Sequence, residues 1–125
     1  MNTLDSNDMK YLEKYDIGVY EYLSYAQVQA IAEAVTKFDS WADRAQCYDM
    51  LMMLFVTDIG KEELEKHTHE ELLRCGMIDA VKHEIHNLHD IDEAIKYMES
   101  LSTVAMSLIR EYQKNPDMLK NLIKE

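Results

Sequence analysis

Glycine and proline are scarce in this chain, three of one and one of the other in 125 residues. A β-sandwich or barrel needs left-handed or fixed-φ residues at many of its turns, so a turn-rich β fold is excluded. Cations are few as well, with 13 Lys and Arg against 24 Asp and Glu and a net charge of −11. Proteins that hold a nucleic-acid duplex gain affinity when Lys and Arg displace phosphate counterions. Here the charge is −3 over residues 1–25, −5 over 26–76, −3 over 77–115 and zero beyond. No segment supplies a basic stripe, and direct nucleic-acid binding is not expected. Long apolar runs are missing too. The longest, Met50 to Val56, has seven residues where a membrane span needs about 20. Asp5 and Asp8 stand near the N-terminus without an apolar stretch, so the expectation is a cytoplasmic protein with no secretory leader. The two cysteines, Cys47 and Cys75, lack C-x-x-C spacing and read as reduced, unbridged thiols.

Hydrophobic residues nevertheless make up 47% of the chain, enough for one domain to build a core without metal or disulfide. Ser24 with Gln27 is a capping box, and Val28, Ile31, Ala32 and Val35 follow at helical spacing, which predicts a helix over 25–37. Asp39 or Ser40 caps a second helix carrying Trp41, Ala45, Tyr48, Leu51, Met52 and Phe55, with Gly60 as its left-handed stop. The second half of that helix is apolar all round, and Met50, Met52 and Met53 read as core filling. Residues 61–75 hold short helical pieces with a Thr68–Glu71 cap, and Gly76 is a further stop. Met77, Ile78, Val81, Ile85 and Leu88 mark a helix of about three turns. A long helix over 90–114 carries Ile91, Ala94, Ile95, Met98, Leu101, Ala105, Leu108, Ile109 and Tyr112, and Asn115-Pro116 restarts the chain into an amphipathic tail. The expected fold is all-α: a compact single-domain bundle of five or six helices. The segment near Leu51–Phe55 would form its central buried helix, with Leu54 and Leu101 in the core.

Five of the eight tyrosines, Tyr11, Tyr15, Tyr20, Tyr22 and Tyr25, crowd into fifteen positions around Asp16-Ile17-Gly18. Residues 1–22 therefore read as a Tyr-rich N-terminal arm, irregular or partly helical, attached to a helical domain over 23–125. Tyrosine supplies contact area at low entropic cost, so Tyr11, Tyr15, Tyr20 and Tyr22 are the candidate protein-interaction residues.

Catalytic signatures are absent: there is no Gly-rich phosphate loop, no G-x-S-x-G and no H-E-x-x-H. The histidines are the residues to weigh for metal. His67 and His69 flank Thr68, while His83, His86 and His89 recur every third position, a spacing that fans side chains over about 120° of a helix. With Asp79 and Asp90 they form a remote metal-binding alternative. The absence of Glu-x-x-His and the isolated cysteines weigh against it, and no metal or cofactor is expected. Glu70 to Asn87 has the outline of a helix-turn-helix, but Asp79 and Glu84 beside Lys82 and His83 suit a plain helical hairpin better.

The stretch Lys37-Phe38-Asp39-Ser40-Trp41-Ala42-Asp43-Arg44, continued by Thr57-Asp58-Ile59-Gly60, resembles small acidic helical proteins encoded by phages and prophages. The likeness extends in general character over residues 20–110. It implies a setting in which virion assembly and inhibition of host defence are common tasks, and assigns no activity or functional residue. The expected function is a non-enzymatic protein–protein interaction module, viral or host protein being the partner and self-association a variant. Val104 and Met106, off the main stripe of the long helix, motivate that variant. The rival reading is an acidic inhibitor that occupies a host nucleic-acid-binding surface, since −11 attracts basic clefts over long range.

Overall fold

The structure, a computed structural model, describes residues 9–114. The described residues open with a hairpin, β1 (Met9–Leu12) and β2 (Ile17–Tyr20), and continue through six helices. These are α1 (Tyr25–Thr36), α2 (Trp41–Val56), α3 (Lys61–Glu65), α4 (His69–Arg74), α5 (Met77–Glu84) and α6 (His89–Lys114). The fold is mostly helical, as expected. The amphipathic tail expected after Pro116 lies outside the described residues.

The hairpin corrects the irregular or partly helical arm. Its strands are antiparallel, with Met9 opposite Tyr20 and Tyr11 opposite Gly18. Asp16 closes the turn at φ 53°, a left-handed position that Asp tolerates better than most residues. Period-two alternation then turns Ile17 and Val19 inward, where both are buried, and leaves Tyr11 and Tyr20 on the solvent face. Gly18 is also buried. Its N–H donates to Asp58 Oδ1 at 2.8 Å, and the side chain of Met9 lies where a Cβ would project.

The caps form as the sequence specifies. Ser24 and Gln27 exchange both capping-box bonds, the Ser40 hydroxyl accepts from the first turn of α2, and that of Thr68 accepts from Glu71 N. Gly76, at φ 84°, separates α4 from α5. Gly60 is no left-handed stop: at φ −69° it precedes α3. The second helix ends earlier, at Val56, because Thr57 turns extended and bridges to Val19 at the edge of the hairpin. The helix expected through Leu88 stops at Glu84 for a similar reason. Ile85 is extended, His86 N donates to Glu21 O at 2.8 Å, and the Asn87 side chain bonds both the N–H and the carbonyl of Leu23 at 2.9 Å.

The core is a single cluster. α1 contributes Val28, Ile31, Ala32 and Val35 and lies between α2 and α6, packing on both. That arrangement alters the expected centre. Met52, Met53 and Val56 of α2 are buried, but Met50, Leu51, Leu54 and Phe55 are only partly so. Leu54 is thus at the margin of the core, and Leu101, 51% exposed, is outside it. No described helix is long and apolar enough to cross a membrane.

Candidate interaction surface

α6 has 26 residues, about 39 Å of helix, whereas the 12 residues of α1 extend only about 18 Å. The shorter helix cannot cover the longer. Ile91 is fully buried against the core and Ala94 and Ile95 partly so. Further along, Arg44 of α2 reaches Glu99 with a 2.7 Å ion pair, and Thr36, the last residue of α1, lines the same shallow hollow as Met98, Ser102 and Thr103. Beyond that level the described chain offers no cover, and every residue from 99 to 114 is exposed.

The exposed part is apolar in the pattern that buried the rest. Ile91, Ala94, Met98, Leu101, Ala105, Leu108 and Tyr112 alternate steps of three and four, one stripe along the helix. Its first members meet the body and its last four meet solvent. With Val104, Met106 and Ile109, the large side chains of this segment keep between 42% and 55% of their surface in water. A globular surface rarely gathers that much apolar area without a partner. The charge is also segregated. Residues 99–125 hold four cations and four carboxylates, so the entire net charge of −11 resides on residues 1–98.

A second apolar feature stands at the base of this segment. Trp41 is 80% exposed and Phe38 is also exposed, at the corner between α1 and α2. Arg44, one turn into α2, ties that corner to α6, because its Nε donates to the carbonyl of Phe38 at 2.7 Å while its other arm holds Glu99. The sequence pattern placed Trp41 on the core stripe of α2. It occupies the first helical position, where the stripe has already run past the body. The signal that could have found the surface was arithmetic: a 12-residue partner cannot pair with a 26-residue stripe.

The tyrosines predicted for the interface are dispersed. Tyr11 donates to Asp16 within the hairpin turn, a bond that raises its phenol pKa, and Tyr15 donates to the carbonyl of Cys75 at 2.9 Å. Tyr20 is exposed on the hairpin, and the exposed Tyr22 ring tilts over His86 at 5.1 Å. The histidines are dispersed as well. His83 is on α5, His86 in the following turn and His89 at the start of α6, so no common helix face unites them. His67 sits between Glu63 and Glu71, His86 near Glu21, and His89 beside Asp90. Among the described residues, no three His, Cys, Asp or Glu side chains converge as metal ligands.

One polar cluster escaped the sequence reading. Asp49, on α2 with only 6% of its side chain exposed, accepts from Lys82 Nζ and pairs with His69 Nε2, each at 2.7 Å. Both oxygens are used, one on α5 and one on α4, so the carboxylate fastens three helices together. Burial next to Asp92 and Asp49 pushes the Tyr48 phenol above its ordinary range, and burial raises the Cys47 thiol, which therefore keeps its proton near neutrality. Every buried side-chain nitrogen and oxygen among the described residues has a partner, so no unsatisfied group points to a ligand. The chain matches no protein-family model, no curated protein and no solved structure.

Proposed function

We propose that the protein is a non-enzymatic protein-interaction module and that its binding surface is the distal half of α6, extended at its base by Trp41 and Phe38. The observation that carries this reading is the exposed stripe from Leu101 to Tyr112, which continues the pattern of Ile91 and Ala94 after the body has ended. Binding energy at such surfaces concentrates in a few large side chains, with Trp and Tyr over-represented among them. Trp41 and Tyr112 supply one at each end. The electrically balanced segment 99–125 also lets an apolar partner approach without meeting the acidic body.

The tyrosines of the arm take a secondary place, because the hydroxyls of Tyr11 and Tyr15 are already committed within the chain. The test compares wild type with Leu108→Asp and Tyr20→Ala in crosslinking and affinity capture from cells that make the protein. Leu108→Asp abolishes capture while the thermal unfolding transition of the body is retained if α6 is the surface. Retained capture by Leu108→Asp, with loss in Tyr20→Ala, would return the function to the arm.

A further inference from the structure

Resting on that reading, we propose that the occupant of the distal α6 stripe is a second copy of this chain, paired antiparallel over residues 99–114 to give a symmetric dimer. The stripe fits itself in that register. A two-fold axis between Met106 and Ser107 sets Leu101 opposite the second copy's Tyr112 and Ala105 opposite the second copy's Leu108. Each layer then joins a larger side chain to a smaller one, as interdigitated helices require.

Charge decides the orientation. Parallel pairing would bring two bodies of −11 side by side at one end of the paired helices. Antiparallel pairing places them at opposite ends of a 16-residue overlap, about 24 Å apart along the axis and beyond a screening length of about 8 Å. The paired segment itself adds no net charge.

The area of the stripe sets the strength of the pairing. Half-exposed side chains of this size present roughly 80 Å² each, so Leu101, Leu108 and Tyr112 with the flanking Val104 and Ile109, five from each copy, bury about 800 Å², the size of a weak, reversible dimer.

Sedimentation equilibrium of the full chain tests the pairing. Wild type runs at twice the chain mass at high concentration, and so does Leu119→Asp/Leu122→Asp in the tail. Leu108→Asp lowers the association constant by roughly a hundredfold or more. Leu73→Asp, at an exposed position on α4, leaves association unchanged. Small-angle scattering of the dimer gives a two-lobed distance distribution, and a single compact lobe would overturn the antiparallel arrangement. A wild type that stays monomeric, or one that dimerises only when Leu119 and Leu122 are changed, overturns the second copy as occupant. If Leu108→Asp nevertheless abolishes capture of another protein, the interaction reading survives that failure. Unchanged association and unchanged capture in Leu108→Asp defeat both.

Discussion

Asp49 sits in a helix whose sequence is otherwise apolar at that level, and its two oxygens satisfy Lys82 and His69. Replacing it with Ala leaves two donors facing a nearly buried site. Because Lys82 keeps about a third of its side chain in water, part of the loss is recovered by solvation. Asp49→Ala should lower stability by about 1–3 kcal/mol in urea unfolding, and Lys82→Ala by less. Tyr48, the neighbouring residue, carries a pH dependence of definite sign. Its phenol pKa is raised in the folded state, so the unfolded chain ionises first, once pH passes about 10. The contribution is complete below that pH and is lost as pH climbs further. Thermal melts above pH 10 should therefore fall more steeply for wild type than for Tyr48→Phe. Neither role was legible from spacing. A lone Asp within an apolar helix is the visible trace of a buried ion pair, but its partners come from α4 and α5, twenty and thirty-three residues away.

Among the elements, those decided locally were the ones the sequence specified well. Ser24–Gln27, Ser40, Thr68–Glu71 and Gly76 act through bonds or φ angles a few residues apart, and each marks a helix boundary where expected. The hairpin was not legible because its turn uses Asp16 in place of glycine and its inner face has only Ile17 and Val19 to show alternation. The early ends of α2 and α5 were hidden for another reason: both are imposed by pairing with distant chain, Thr57 with Val19 and His86 with Glu21. Periodicity also could not reveal where cover runs out, which is why Leu101 and Met52 looked equivalent. They separate on mutation. Met52→Ala opens a cavity beneath α1 and should lower stability by about 2–5 kcal/mol. Leu101→Ala, measured at high dilution, should change it by no more than about 0.5 kcal/mol, while weakening association at high concentration.

For the whole molecule, the unequal lengths of α1 and α6 have a consequence in time as well as in space. A helix of about 16 residues without tertiary packing is close to its own melting point in water, since helices shorter than about 12–15 residues are marginal even in favourable sequences. Residues 99–114 contain Ser102, Thr103, Val104 and Ser107, which are not strong helix formers. In an isolated chain this end should open and close far faster than the anchored half around Ile91, and a protease needs an opened backbone. Limited tryptic digestion of a dilute sample should therefore cut first after Arg110 and Lys114, well before Lys82. Raising the protein concentration should slow those early cuts in proportion to the fraction of chains whose distal helix is covered. Turnover of the protein would then report its own occupancy: copies with a bare helix would be the first substrates of cellular proteases, and copies with a covered one would persist.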